Sequence, residues 1–178
     1  MSVRSNAIKP SDSRPSQVEA GHGDRLVMIR NASVTFLLIA IGNKIVASAS
    51  TVYRRRFRIG IMEWRVMALL AAEPGITAQD ISWSSGVTPG SVSRAIQGLK
   101  RRGLLESKSD AADNRRSFLR LTRNGLELHN RVIVASLRRE QLLLTGFSKA
   151  EHGTLLRFMQ RLSVNVALVD AYDPDRED

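Results

Sequence analysis

The feature that most constrains this chain is the punctuation between residues 73 and 125. Pro74-Gly75 stops one helical pattern, and Thr77, with Asp80 three residues on, starts the next as an Asp-containing capping box. Gly86 sits where a helix can end on positive φ, and Thr88-Pro89 opens another helix with an N-cap residue followed by proline at the first helical position. Gly103 ends that helix. The spacing predicts helices over 61–72, 78–84 and 88–102, then two short strands over 104–107 and 117–121 joined by the polar loop 108–116. Helices this short are marginal alone, so they must pack on one another. Helix, short helix, tight turn, helix and hairpin is the sequence form of a winged helix-turn-helix.

Longer helical patterns flank that segment. Over 34–56, Leu38, Ile41, Ile45, Ala49 and Val52 recur at three- and four-residue steps, while Leu37, Ile39 and Val46 lie off that stripe. A helix apolar on more than one face needs more than one packing partner. Tyr53-Arg54-Arg55-Arg56-Phe57-Arg58 ends it with cations, where the helix dipole favours them. In 61–72, Trp64, Met67, Ala68 and Ala71 form the expected apolar face. Thr122 caps a helix to about residue 145, and a last helix over 149–169 carries Leu155, Phe158, Leu162, Val166 and Val169 as its stripe. Residues 1–24, rich in Ser, Pro, Gly and charge, read as a flexible arm, and 171–178 as an acidic tail. The fold class is mainly α with a small β-hairpin (α+β).

Charge narrows the partner. The 178 residues carry a formal net charge of +10, which favours anionic partners. Between Thr88 and Gly125 stand nine basic residues against three acids, Glu106, Asp110 and Asp113, a local excess of +6. Cysteine is absent, which removes disulfides, thiolate metal sites and thiol redox sensing. The most apolar run, residues 36–41, is broken by Gly42-Asn43-Lys44 and is too short to span a bilayer, which takes ~20 residues. A soluble cytoplasmic protein without membrane attachment is the expectation.

The helix 88–102 carries the functional signal. At 100° per residue Val92, Ala95, Ile96 and Leu99 share one side, and Gly90, Ser93, Arg94, Gln97 and Arg101 share the other. The second set holds small residues, hydrogen-bonders and cations, with no acid. A major groove admits one α-helix, and Arg and Gln can contact guanine and adenine edges in bidentate fashion. Ser91 and Ser93 can donate to phosphates near the helix N-terminus. The hairpin loop adds Asp113-Asn114-Arg115-Arg116. An arginine on a narrow loop suits a minor groove of strongly negative potential, and Asp113 can hold the Arg115 guanidinium. The candidate DNA-binding set is therefore Thr88, Ser91, Ser93, Arg94, Gln97, Arg101, Asp113, Arg115 and Arg116.

From about residue 53 to 168 the chain resembles the MarR family of bacterial regulators. Glu63-Trp64-Arg65-Val66-Met67-Ala68-Leu69-Leu70 matches its second helix, and Val87-Thr88-Pro89-Gly90-Ser91-Val92-Ser93-Arg94 the start of its recognition helix. Leu99-Lys100-Arg101-Arg102-Gly103-Leu104-Leu105 leads into the wing, where Asp110-x-x-Asp113-x-Arg115 is followed by Leu121-Thr122-x-x-Gly125. Two positions depart from the family pattern: Lys100 stands where Glu is frequent, and Gly98 sits inside the recognition helix at a cost of ~1 kcal/mol relative to Ala. The resemblance implies a MarR-type domain over 25–170, with the winged helix-turn-helix at about 58–122 and dimerisation helices at about 34–56 and 123–170. It implies a homodimeric, ligand-responsive repressor on a pseudo-palindromic operator in double-stranded DNA, with Arg115 entering the minor groove beside Asp113. It also implies a small aromatic effector, with Arg58 and Trp64 near its place.

No enzyme constellation is visible. His22, His129 and His152 are scattered without metal-ligand spacing, and no glycine-rich phosphate loop follows a strand. Catalytic, metal and cofactor sites are all expected to be absent. Trp64 and Trp83 read as packing residues. Two other classes compete with the DNA-binding reading: a winged-helix module that binds protein, and a basic amphipathic protein of membrane surfaces. The acid-free outer face of helix 88–102 and the Arg-tipped hairpin favour DNA.

Overall fold

A computed structural model of the chain describes residues 18–20, 26–28, 33–109 and 117–173. The chain divides into two units, residues 1–65 and 66–178. In the first, strands β1 (Val18–Ala20) and β2 (Leu26–Met28) pair antiparallel with Val18 opposite Met28. Part of the arm expected to be flexible over 1–24 is therefore strand. Three-residue strands leave no periodic trace in a sequence, so composition alone misses them.

Helix α1 (Val34–Phe57) starts on Ser33, whose Oγ accepts the Phe36 N–H at 3.2 Å. Arg54, Arg55 and Arg56 fill its last turn, and Arg58 terminates it in the left-handed conformation, donating its N–H to the Arg54 carbonyl at 3.1 Å. Tyr53 is buried, its ring edge-on to Trp64 at 5.9 Å and to Phe57 at 6.3 Å. The Glu63 carboxylate accepts the Gly60 N–H at 2.8 Å and so fixes the start of helix α2 (Ile61–Ala72). The apolar run 36–41 belongs to a 24-residue helix that is long and apolar enough, by length and composition, to cross a membrane. Gly42-Asn43-Lys44 interrupts the hydropathy without interrupting the helix.

The second unit is built around α3 (Ala78–Ser85) and α4 (Pro89–Arg101), which pack on each other and on the hairpin of β3 (Leu105–Ser109) and β4 (Ser117–Leu121). Helices α5 (Arg123–Leu143) and α6 (Lys149–Asp170) follow. The core holds Val66, Met67 and Leu70 of α2, Ile81 of α3, the inner face of α4, and Leu104, Leu105, Leu119 and Leu121 at the hairpin. Helix α2 is thus buried more widely than its expected face: Val66 and Leu70 are enclosed, while Ala68 and Ala71 are half-buried. The link between α2 and α3 extends the hairpin, since the Gly75 N–H donates to Leu119 O at 2.8 Å and the Leu119 N–H to Ile76 O at 3.1 Å.

Thr122 locks the hairpin's base to its neighbours. Its N–H donates to Leu104 O at 3.1 Å, its hydroxyl donates to Gly103 O at 2.7 Å, and the same oxygen accepts the Gly125 N–H at 3.1 Å. Gly125 is buried against this seam, and a Cβ there would overlap the Leu104 carbonyl oxygen. At α6, Ser148 and Glu151 form a reciprocal cap, with the Ser148 N–H to Glu151 Oε2 at 2.8 Å and the Glu151 N–H to Ser148 Oγ at 3.3 Å. These hydrogen bonds from the Ser148 backbone and hydroxyl hold the Glu151 carboxyl below its usual pKa.

The stripes expected on the long helices are largely uncovered within one chain. On α1 only Ala49 and Tyr53 are buried, while Phe36, Ile39, Ile41 and Ile45 are exposed. No α6 residue is buried, and Leu155, Phe158, Leu162, Val166 and Val169 all face solvent.

The seam at Gly125 sets two effects against each other. Helix propensity favours alanine over glycine by ~1 kcal/mol, whereas forced overpacking costs ~1–3 kcal/mol. The near-fixed Leu104 backbone decides the sign: Gly125→Ala is expected to lower stability by about 1–3 kcal/mol in denaturant titration. A neutral or stabilised variant would show that the base of the hairpin yields.

Candidate nucleic-acid interface

Helix α4 separates its residues by chemistry. Val92, Ala95, Ile96 and Leu99 are buried, the four that the helical spacing places inward. Thr88, Ser93, Arg94, Gln97, Lys100 and Arg101 are exposed, and Ser91 is half-buried. No acidic residue lies in the helix. Its outer surface therefore offers amide, hydroxyl and guanidinium groups on a rigid element whose inner face is fixed by packing.

Thr88 occupies the N-cap position but makes no side-chain cap, contrary to the usual role of threonine there. Its hydroxyl instead donates to Ser91 Oγ at 3.1 Å, and Arg94 Nη2 donates to the same oxygen at 3.2 Å. Thr88, Ser91 and Arg94 are thus joined by hydrogen bonds along the first turns. Further along, Lys100 Nζ donates to Ser107 Oγ at 2.6 Å and ties α4 to β3. The sequence marks Lys100 as a cation and a departure from a family pattern; its partner, seven residues away on another element, leaves no local trace.

Beside the outer face runs a groove of about 740 Å³ between the start of α3, α4 and β4. Buried Ile96 and Leu119 line it together with Asp80, Ser93, Gln97 and Lys100. In the hairpin, Glu106 stands opposite Arg120 and Lys108 opposite Phe118. Asp113, Arg115 and Arg116 lie outside the described residues.

A sequence model of the MarR family matches residues 59–116. The fold is a winged helix like those of MarR-family regulators, and the matched stretch runs from the start of α2 into the hairpin. It is 28% identical to a MarR/EmrR family transcriptional regulator from Acinetobacter sp. ADP1, with a TM-score of 0.74 over 79% of this chain and 99% of that one. It is 27% identical over 97 residues to a putative transcriptional regulatory protein for the hcr operon of Thauera aromatica, a match covering 54% of this chain and 58% of the relative. MepR of S. aureus in complex with DNA superposes with a TM-score of 0.66 at 21% identity, covering 78% of this chain and 99% of that one. The MarR-type fold accounts for the order of α2, α3, α4, β3 and β4.

The two tryptophans part company. Trp64 is buried, 7% exposed, against Tyr53, as expected of a packing residue. Trp83 is 89% exposed, which corrects the packing role expected for it. Ile81 takes the inward position of α3, and Trp83, two residues on, falls about 200° round the helix. Trp83→Phe is therefore expected to change stability by less than ~0.5 kcal/mol. It should leave only the blue-shifted, poorly quenched emission of Trp64 in an acrylamide titration. A red-shifted, readily quenched remainder would contradict these placements.

Proposed function

We propose that the chain is a cytoplasmic, sequence-specific DNA-binding transcriptional regulator, acting as a homodimeric repressor on a pseudo-palindromic operator. The observation that carries this reading is the outer face of α4: an acid-free row of Arg94, Gln97 and Arg101 on a helix locked by four buried residues. The match of residues 59–116 to the MarR family supports it, as do the regulatory role given to the Thauera aromatica relative and the DNA bound to MepR. Arg94 and Gln97 read base edges in the major groove, while Ser93 and Arg101 serve the backbone, and Thr88 and Ser91 stand at the start of the same helix. Arg115, oriented by Asp113 and flanked by Arg116, enters the minor groove.

A small-molecule effector fits the same reading. The groove of about 740 Å³ beside Gln97 and Lys100 has the size of a small-ligand site. A ligand there would compete with DNA for the reading helix. Trp64, expected near the effector, is buried against Tyr53.

The exposed apolar residues of α1 and α6 support the dimer, because a second copy covers such surface. A bilayer is the competing cover for α1, which is long and apolar enough to span one. Lys44 weighs against it: a lysine near the middle of a span costs ~2.5–3.5 kcal/mol. Asn43, Ser48, Ser50 and Thr51 add further polar groups along α1.

Selection of DNA sites from a random pool, with affinities then measured across salt, tests the reading. A two-fold symmetric motif with half-sites ~10 bp apart is expected. Log affinity should fall linearly with log salt, each phosphate contact adding ~0.9 to the slope. Arg94→Ala should cost ~1–3 kcal/mol and relax one base position, whereas Lys108→Ala should weaken all sequences alike. Failure to enrich any motif would refute sequence-specific reading.

Assembly is tested separately. Light scattering of the full chain in detergent-free buffer is expected to give twice the 19.7 kDa chain mass. A soluble monomer, or recovery only with membranes, would refute the dimer.

A further inference from the structure

Two cations on the outer face of α4 are held by hydrogen bonds: Lys100 to Ser107 on β3, and Arg94 within the helix itself. Arg94 is exposed, and an exposed arginine ordinarily samples many rotamers. Here its Nη2 donates to Ser91 Oγ at 3.2 Å, one turn back along the helix. The same oxygen accepts the Thr88 hydroxyl at 3.1 Å. Ser91 is half-buried, between a buried Val92 and the helix start, so its oxygen is a better fixed anchor than a fully exposed side chain. Gly90 completes the arrangement: the point where its Cβ would stand is 3.8 Å from Arg94 Nη1, so a large side chain there would compete for the guanidinium's place.

The chemistry of this triad is directional. A serine oxygen has two lone pairs, and both are engaged by Thr88 and Arg94. The Ser91 proton remains to be donated outward. Arg94 has five N–H donors, and the contact with Ser91 engages one of them, leaving the others for an acceptor pair. Guanine presents such a pair, O6 and N7, in the major groove. A guanidinium already oriented loses less rotamer freedom when it meets that pair.

We propose that Ser91 is a positioning residue that sets base specificity: it fixes the Arg94 fork for a guanine, with Thr88 bracing it from behind. The proposal rests on the DNA-binding reading above and assigns a role within it. It differs from a plain phosphate contact by Ser91, which would raise affinity for every sequence equally.

The test is selection of DNA sites by the full-length wild type, Ser91→Ala, Ser91→Thr, Arg94→Ala and the Ser91→Ala/Arg94→Ala double variant. Equilibrium binding to the selected site and to single-base substitutions of it follows. Alanine has the higher helix propensity, so Ser91→Ala should fold as well as the wild type, which a thermal melt verifies. Ser91→Ala is expected to reduce discrimination about threefold to tenfold at the single base pair that Arg94→Ala relaxes, and at no other. Ser91→Thr, which keeps the hydroxyl, should restore it, and Ser91→Ala should add nothing at that position once Arg94 is gone. Equal loss on all sequences would identify Ser91 as a phosphate contact and overturn the positioning role alone. Unchanged discrimination in Ser91→Ala would do the same. A wild type that enriches no motif overturns the DNA reading and this role with it.

Discussion

The architecture of the second unit depends on one close approach, that of Gly125 to the Leu104 carbonyl. Thr122 makes it possible by closing three hydrogen bonds at once, to Leu104 O, Gly103 O and the Gly125 N–H. The Leu104 N–H in turn donates to Leu99 O at 3.0 Å, at the end of α4. The end of α4, the root of the hairpin and the start of α5 are therefore fixed to one another through Leu99, Gly103, Leu104, Thr122 and Gly125. The base of the hairpin is thereby anchored to α4. The Lys100–Ser107 hydrogen bond and the pairing of Gly75 and Ile76 with Leu119 hold the same assembly from other sides.

That rigidity gives the outer face of α4 its meaning. Cations on a solvated helix are ordinary and contribute little by themselves. Here they stand on a helix whose inward residues, Val92 and Leu99 among them, are completely buried, so backbone position is settled before any partner arrives. The remaining freedom lies in side chains, and the Thr88–Ser91–Arg94 hydrogen bonds restrict that of Arg94. Preorganisation acts at two scales, the helix as a body and one guanidinium upon it.

What the sequence discloses follows from the range of each interaction. The inward set of α4 is legible because a 3.6-residue period is local, and the caps at Thr77, Thr122 and Gly86 are legible because each cap spans three or four residues. Thr88 misleads: the residue type and the following Pro89 fit an N-cap, but its hydroxyl turns to Ser91 instead. Trp83 misleads for another reason, since a large aromatic suggests burial while α3 has only one inward position, taken by Ile81. Lys100 with Ser107 and Gly125 with Leu104 join residues on different elements, and no local pattern encodes such pairs. The proposed wing residues Asp113, Arg115 and Arg116 rest on their spacing and their charge.

The long helices pose the remaining physical question, which is what covers their apolar surface. Val164, Leu168 and Val169 of α6 are each more than 70% exposed, and α1 leaves Phe36, Ile39 and Ile41 in solvent. Apolar area in water costs roughly 25 cal/mol per Å², so several such side chains together outweigh the stability of a typical small domain's weakest elements. A single chain with both helices bare would fray or aggregate. A symmetric partner removes the cost and, on the regulator reading, does something more. It duplicates α4 about a two-fold axis, so a modest half-site preference is used twice on one operator. On that reading the apolar surface of α1 and α6 would couple folding to assembly, and assembly to recognition.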